Sequence, residues 1–265
     1  MHEAGMFEAI DYSLWDAESL ECVQEPDRRK DAVVVFQSAQ LLAYDERAFP
    51  KGGPKNWIDF WDIKKFPGSR ELYAPLGKYD FPFALIADGV DCKEIWPLTD
   101  EKLDRAFAKL NEIKPHITKW WSAGGESPQL LTNGEYAMTS AYDGRAFSAI
   151  RQGAPIKFAW DGAYLNHTFV TVLKRSPNTA NAQKFVAFLN RADIAAGFTQ
   201  ATGYPSPNVN QLKYLPAAML PQVSINPENA SKVVREDSDW LAAKRLDGKT
   251  NADHIQERWL AWRAK

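Results

Sequence analysis

The sequence predicts an α/β protein, because segments with the pattern of buried strands alternate with segments of helical periodicity along its 265 residues. Valine and leucine concentrate in short runs such as AVVVF, whereas residues 100–114 carry apolar side chains at helical spacing. A hydrophobic fraction of 45% supports a sizeable core. The length suits one large α/β domain or two α/β lobes.

The first elements follow from strand composition and from breaks at glycine and proline. A short helix and a loop are predicted up to Leu20, followed by paired buried strands within DAVVVFQSAQLLAYDERAF. The break FPKGGPKNW precedes a short aromatic helix in NWIDFWDIKK, whose Trp57, Phe60 and Trp61 share one face. A Pro–Gly pair ends this helix and a strand follows.

The central elements are predicted from apolar periodicity. Helices are expected at residues 79–90, 100–114 and 127–133, and the strand EYAMTSAY comes next. The turn at Asp143 and Gly144 begins a helix that runs toward Gln152. Two separate strands, IKFAW and HTFVTVL, follow it.

The last elements are helical. The start signal SPN opens a helix at residues 179–190, with an apolar face formed by Ala182, Phe185, Val186 and Leu189. Another helix leads into a proline-punctuated loop around Tyr204, and residues 237–265 form two helices.

Composition excludes several classes of function. Lysine and arginine number 32 against 34 acidic residues, so no basic field for nucleic acid exists. No apolar run approaches the roughly 20 residues of a membrane span, and the start MHEAGMFEAIDYS lacks the pattern of a secretory signal. Two states of Cys22 and Cys92 stay open: one disulfide between them, or two free thiols. The scattered histidines show no zinc spacing, so neither a metal nor another cofactor is predicted.

Residues 135–160 contain the first candidate site. Arg145 stands next to Tyr142 and Asp143, beside Gly144. A planar guanidinium suits a carboxylate or phosphate, and a glycine-flanked turn lets such a group approach closely. Two interpretations stay open: an arginine that binds a ligand, and a surface arginine paired with Asp143.

An ordered set of segments carries a family resemblance: GMFEAIDYS, LLAYDERAF, NWIDFWDIKKFPGS, DRAFAKLNEIKPHI, NGEYAMTSAYDGRAF, KRSPNTANAQKFVAFLN and GYPSPN. Across nearly the whole chain, this set resembles the extracellular solute-binding proteins of the spermidine/putrescine type, the receptor components of ABC importers. The resemblance implies a periplasmic monomer with a two-lobe, type II-like periplasmic binding protein fold. Such a protein closes over a small solute by hinge motion and hands it to a membrane permease.

The resemblance also implies a division into lobes. Lobe one is expected at residues 1–46 and 167–212, and lobe two at residues 47–166 and 213–265. In the family, further strands and a signal sequence lie before the position of Met1. We therefore expect lobe one to be incomplete at its N-terminus.

In the family, the ligand lies in the cleft between the lobes, among aromatic side chains and acidic groups that contact amines. Tyr142 stands where a stacking tryptophan usually sits, Tyr204 matches a site tyrosine, and Trp240 falls near a cleft-lining position. This chain has Thr168 where a polyamine binder commonly has an aspartate, and Asn166 where it has a tryptophan.

The departures from the family pattern bear on the ligand. Together with Arg145, the exchange at Thr168 favours a carboxylate-bearing ligand, such as a γ-aminobutyrate-like amino acid, over a polyamine. Ser38 and Gln40 are candidates to hydrogen-bond the other end of the ligand, although ordinary loop polarity is an alternative interpretation. Tyr73 is a further candidate.

No catalytic residue is predicted, because the GxSxG, GxxxxGK and HExxH motifs are absent. The alternative function is a glycan-active or other small-molecule enzyme with an aromatic cleft. Its candidate carboxylate pairs are Asp59 with Asp62 and Asp88 with Asp91.

Overall fold

A computed structural model describes residues 5–265, which form two compact units. Among the described residues, unit 1 comprises residues 5–38 and Asn166–Ala230, and unit 2 comprises Ala39–Leu165 and Ser231–Lys265. In the predicted division, by contrast, the chain passes from one lobe to the other after residues 46, 166 and 212. Residues 1–4 of the predicted lobe one lie outside the described residues. The assignment of the units to the lobes of the family stays a prediction.

The regular structure of the described residues consists of six strands, eleven α-helices and several short 3-10 turns. The strands are β1 (Val33–Asp45), β2 (Arg70–Tyr73), β3 (Ile117–Trp121), β4 (Met138–Tyr142), β5 (Ile156–Val170) and β6 (Val234–Arg235). The helices are α1 (Ala17–Cys22), α2 (Trp57–Trp61), α3 (Gly77–Ala87), α4 (Asp100–Ile113), α5 (Glu126–Asn133), α6 (Asp143–Arg151), α7 (Thr179–Leu189), α8 (Ala192–Thr202), α9 (Pro227–Ala230), α10 (Ser238–Ala242) and α11 (Asn251–Arg263). The α/β prediction is confirmed.

Unit 1 is built mainly from α1, α7, α8 and α9 with the outer parts of β1 and β5. The carboxylate of Asp16 caps α1 by accepting from the Ser19 N–H at 2.8 Å. The core beside α7 consists of buried apolar side chains, namely Ile10, Trp15, Val23, Val33, Val172, Val186 and Ala187.

The strands form a sheet in the order β3-β2-β4-β1-β5-β6. Strand β2 runs parallel to both β3 and β4, whereas β1 runs antiparallel to β4, with Gln40 opposite Tyr142. The carboxyl ends of β2, β3 and β4 therefore meet at one end of the sheet. These ends are occupied by Tyr73, Trp121 and Tyr142.

Helix α3 is the central helix of unit 2, since nearly all of its side chains are buried. It packs against α2, α4 and α11. Its first residue, Gly77, allows this packing: a Cβ atom there would lie 2.7 Å from the Cβ of Trp259 in α11. The close approach fixes the start of α3 against α11.

The paired strands predicted within DAVVVFQSAQLLAYDERAF are wrong, because β1 is one continuous strand of 13 residues. The two strands predicted at IKFAW and HTFVTVL are likewise the single 15-residue strand β5. Gly162 looks like a break in the sequence but stays within β5 with φ of 79°. Its carbonyl accepts from Trp57 Nε1 at 2.9 Å, so glycine serves a close approach there.

The helix predicted to begin at Asp143 and Gly144 and to run toward Gln152 is confirmed as α6, but no separate turn precedes it. Both residues are buried in the first turn of α6, and Gly144 has no positive φ. In α7, Phe185 was predicted on the buried face, but its side chain is 57% exposed. Val186, on the same predicted face, is buried.

Cys22 and Cys92 are both free thiols, so the disulfide that the sequence left open is not formed. Within residues 5–265, no helix has the length and apolar character needed to cross a membrane.

Candidate ligand-binding site

Three aromatic side chains meet at the carboxyl ends of the parallel strands of unit 2. The ring of Tyr73 lies 4.5 Å from that of Trp121 and 6.2 Å from that of Tyr142. The distance between the Trp121 and Tyr142 rings is 5.9 Å. In open α/β sheets, ligands bind outside the carboxyl ends of the strands. This cluster is therefore the candidate ligand-binding site of unit 2.

The cluster continues as a chain of ring contacts toward α10. Tyr142 contacts Tyr79 at 6.3 Å, and Tyr79 contacts Tyr164 at 5.1 Å. Tyr164 then contacts Trp96 at 6.3 Å, and Trp96 contacts Trp240 at 5.4 Å. We call the whole set the aromatic run: Tyr73, Tyr79, Trp96, Trp121, Tyr142, Tyr164 and Trp240. Its half-buried members, Trp96, Tyr142 and Trp240, are the ones that a solute can reach most directly.

The tyrosines at one end of the aromatic run act as neutral hydrogen-bonding groups. The hydroxyl groups of Tyr73 and Tyr79 both lie near that of Tyr142. Burial, followed by the proximity of Tyr142, raises the pKa of both Tyr73 and Tyr79 well above the ordinary value for a phenol. These hydroxyls therefore stay protonated at physiological pH.

An ion pair lies beside the middle of the aromatic run. Lys78 Nζ is 2.6 Å from Glu236 Oε2 and 5.1 Å from the centre of the Tyr79 ring. The same carboxylate oxygen accepts from the Tyr164 hydroxyl at 2.9 Å, and Glu236 Oε1 accepts from Ser238 Oγ at 3.1 Å. The aromatic run thus has one positive and one negative group in contact beside it, and two further acidic residues, Asp237 and the buried Asp80, lie near its tyrosines.

Gln40 lies on the face of the sheet that carries Tyr142, because residues directly opposite in an antiparallel pair point to the same side. Its side chain is fully buried, and neither its amide oxygen nor its amide nitrogen has a hydrogen-bond partner among the described residues. A buried amide without a partner is costly, so Gln40 remains a strong candidate for a ligand contact.

Asp143 is paired with the main chain instead of Arg145. Its Oδ1 accepts from the Ala39 N–H at 3.0 Å, and only 1% of the residue is exposed. Burial raises the pKa of this carboxyl group to about 7. The interpretation of Arg145 as the surface partner of Asp143 is therefore wrong.

Arg145 is exposed and lies outside the aromatic run. It lines a shallow concavity of about 330 Å³ between α5 and α6, together with residues such as Gly125, Gln129 and Gln152. The neighbouring Gly124 lies against the aromatic run, because a Cβ atom added at Gly124 would lie 3.3 Å from the Tyr142 ring. The turn at Gly124 and Gly125 thus lies between Arg145 and the run.

The other predicted site residues lie in unit 1. Tyr204 stacks on Phe36 with ring centres 5.7 Å apart. Asn166 and Thr168 are half-buried and share one face of β5, since alternate residues of a strand point the same way. Ser38 is buried near the end of the unit 1 portion of β1. A role of these four residues in ligand binding stays a prediction.

The carboxylate pairs of the enzyme alternative have local structural partners. Asp59 pairs with Lys65 at 3.0 Å, and Asp62 accepts from the main-chain N–H of Lys65 at 2.9 Å. Asp88 pairs with Arg105, and Asp91 caps the short 3-10 turn that follows it. These contacts are those of helix caps and surface ion pairs.

Of the aromatic run and its ion pair, the sequence predicted Tyr73, Tyr142 and Trp240 as site residues but gave no indication of Lys78 and Glu236, and a role of any of them in ligand binding stays a prediction. These two residues are separated by 158 positions, so no local pattern links them. A weak signal existed for Trp121, because an aromatic residue ends the segment ITKWW that has the composition of a strand.

Aromatic side chains at the carboxyl ends of parallel strands in an α/β fold are typical of proteins that bind small solutes. A family model of bacterial extracellular solute-binding proteins matches residues 9–217, and the chain belongs to this family. The chain is similar to the γ-aminobutyric acid-binding protein of Pseudomonas aeruginosa, with 32% identity over 88% of this chain and 64% of the relative. It is 24% identical to the spermidine/putrescine-binding periplasmic protein of Escherichia coli, over 81% of this chain and 62% of the relative.

A crystal structure of an ABC transporter substrate-binding protein from Bradyrhizobium japonicum is similar in fold, with a TM-score of 0.86 and 32% identity. The match covers 98% of this chain and 78% of the crystallised one. The chain spans somewhat less than two thirds of the length of the two curated relatives, the γ-aminobutyric acid-binding protein and the spermidine/putrescine-binding protein. These relatives are binding proteins, which counts against the enzyme alternative.

Proposed function

We propose that this chain captures a small zwitterionic solute of the γ-aminobutyrate type for an ABC importer and does not convert it chemically. The observation that carries the proposal is the aromatic run at the carboxyl ends of β2, β3 and β4, with the Lys78–Glu236 ion pair beside it. The ligand then passes to a membrane permease, in the periplasm, as in the family.

The aromatic run suits the body of such a ligand. Tyrosine and tryptophan faces cover methylene groups and attract an ammonium group. The half-buried rings of Trp96 and Trp240 lie 5.4 Å apart, so a chain of a few carbon atoms can contact both rings.

The charge of the site distinguishes the candidate ligands. Lys78 pairs with Glu236, so the glutamate beside the run already has a counterion and is a weaker partner for the ammonium groups of a polyamine. A zwitterion has no net charge and presents one group of each sign. The similarity to a γ-aminobutyric acid-binding protein at 32% identity supports this choice, while the match to a polyamine-binding protein is weaker.

Isothermal titration calorimetry with γ-aminobutyrate, putrescine and butyrate tests the proposal. We expect γ-aminobutyrate to bind at least tenfold more tightly than putrescine or butyrate, and to be recovered unchanged after incubation. Tighter binding of putrescine would assign the chain to polyamines, and formation of a product would show an enzyme.

A further inference from the structure

We infer that the indole N–H of Trp96 donates a hydrogen bond to the carboxylate of the ligand, and that this contact selects γ-aminobutyrate over a polyamine. The inference rests on the proposed function and deepens it, because it assigns one end of the ligand to one residue. Trp96 is not among the site residues that the sequence predicts.

The position of Trp96 carries the first part of the argument. Its ring belongs to the aromatic run and lies 5.4 Å from the ring of Trp240 and 6.3 Å from that of Tyr164. The side chains of Trp96 and Trp240 are both half-buried, so either ring can turn toward a ligand. A ligand whose methylene groups contact these two rings lies beside the indole of Trp96.

The indole nitrogen of Trp96 carries the second part. Its Nε1 is buried and has no hydrogen-bond partner anywhere in residues 5–265. A buried indole N–H usually finds a partner. Five other tryptophans of unit 2 donate to a protein oxygen: Trp57, Trp61, Trp121, Trp259 and Trp262. The exception at Trp96 is explained if its partner is the ligand.

The chemistry of the indole identifies the ligand group that it can bind. An indole N–H is a donor only, so its partner must be an acceptor. γ-Aminobutyrate carries an acceptor in its carboxylate, whereas putrescine carries ammonium groups at both ends and no acceptor. The N–H of Trp96 therefore gains a partner from γ-aminobutyrate and none from putrescine.

Lys102 holds the main chain on both sides of Trp96. Its Nζ donates to the Ile95 carbonyl at 3.2 Å and to the Pro97 carbonyl at 3.1 Å. These contacts fix the segment that carries the indole before the ligand arrives. They also place a positive charge on this segment, which favours an anionic group beside it.

The acidic groups near this end of the aromatic run are compensated. Glu236, which accepts from the Tyr164 hydroxyl, is paired with Lys78 and therefore repels a ligand carboxylate less than a free glutamate would. Asp237 is exposed, so solvent and salt screen its charge.

The experiment compares Trp96→Phe and Trp61→Phe in the full chain by calorimetry with γ-aminobutyrate, butyrate and putrescine. Both variants lose an indole N–H and the same ring volume, but Trp61 lies outside the aromatic run and donates to the Lys109 carbonyl at 3.0 Å. We expect Trp96→Phe to weaken γ-aminobutyrate and butyrate by about 10- to 150-fold relative to putrescine, the effect of one hydrogen bond to a charged group. Trp61→Phe should leave all three affinities unchanged.

A second replacement removes the N–H without changing the shape of the ring. 3-Benzothienylalanine has a sulfur atom where tryptophan has the N–H. At position 96 we expect the same loss of γ-aminobutyrate and butyrate binding. In urea without ligand, the unfolding midpoint should be no lower than that of the parent chain, because the lost N–H has no partner there.

The same replacement at Trp61 is the matched control. It breaks the hydrogen bond to the Lys109 carbonyl, so it should lower the unfolding midpoint and preserve ligand affinity. Equal weakening of all three ligands by both replacements at Trp96 would show that the ring acts through packing alone and would overturn the inference. A lower midpoint for 3-benzothienylalanine at position 96 would show that the N–H supports the fold and would overturn it as well.

The outcomes for the parent chain separate this inference from the proposed function. If the parent chain binds γ-aminobutyrate most tightly and both replacements at Trp96 keep that affinity, only the assignment to Trp96 is wrong. If putrescine binds most tightly, or none of the three compounds binds, the proposed function is wrong and the inference is lost with it.

Discussion

The carboxyl group of Asp143 shows how one residue couples the site to the stability of the chain. It follows Tyr142 directly, accepts from the Ala39 N–H through Oδ1, and has no hydrogen-bond partner for Oδ2 among the described residues. Its pKa of about 7 lies above the value near 3.9 of an unfolded aspartate. The folded chain therefore binds more protons than the unfolded chain between these two values.

This difference predicts a pH effect for Asp143→Asn. In the parent chain, the contribution of Asp143 to stability is fully present below about pH 4 and is lost as the pH rises to about 7. The amide does not ionise and keeps an acceptor for Ala39. We expect the variant to gain stability relative to the parent as the pH rises over this window, by on the order of 4 kcal/mol in total. Urea unfolding at pH 4, 5, 6 and 7 measures it.

A control for this prediction is Asp193→Asn. Asp193 is exposed, and its hydrogen-bonded partner Arg191 lowers its pKa, so that variant should show no such gain. An equal stability difference between Asp143→Asn and the parent at every pH would contradict the proposed ionisation of Asp143.

At the scale of elements, the start of α3 positions both Lys78 and Tyr79 and depends on the absence of a side chain at Gly77. An added Cβ would lie 2.7 Å from Trp259 and 2.9 Å from the Phe81 ring. We expect Gly77→Ala to lower the free energy of unfolding by about 1–3 kcal/mol through overpacking. Ligand affinity should fall as well, because the start of α3 must shift.

The matched control is Gly125→Ala in the turn before α5, where no atom lies within 4 Å of an added Cβ and φ is −84°. Urea unfolding should give this variant the same midpoint as the parent chain. A normal midpoint for Gly77→Ala would show that α3 and α11 adjust freely and do not fix the start of α3.

The elements differ in how far the sequence predicts them. Helix α4 follows its pattern closely, because Leu103 and Leu110 alternate with charged residues on an amphipathic helix. The long strand β5 does not follow its sequence pattern, because Gly162 resembles a turn signal in the sequence. Only the structure shows that this glycine allows a close contact with Trp57 inside the strand. The prediction that Phe185 is buried is wrong for a related reason: helical periodicity identifies the apolar face of a helix but not which neighbouring residues cover it.

At the scale of the whole molecule, the sequence predicted the family and named three members of the aromatic run, Tyr73, Tyr142 and Trp240, whereas it did not indicate the Lys78–Glu236 ion pair. Tyr142 and Trp240 were predicted as site residues through the family resemblance, which rests on the order of segments along the chain. Lys78 and Glu236 meet only after β2, α3 and β6 have taken their places in the fold. Arg145 is close to Tyr142 in sequence but lies on α6 and not on β4, outside the aromatic run, and its role in ligand binding stays a prediction.

Ligand binding at the aromatic run should stabilise the whole chain by mass action. At a concentration of γ-aminobutyrate 100 times its Kd, we expect the free energy of unfolding to rise by about 2.7 kcal/mol. Trp240→Leu removes one end of the run and should weaken this stabilisation, whereas Phe185→Leu changes an exposed ring outside the run and should preserve it. Urea unfolding with and without ligand measures both. Equal ligand stabilisation in the two variants would place the ligand away from Trp240, because a lost ring contact must reduce affinity if the ligand lies on it.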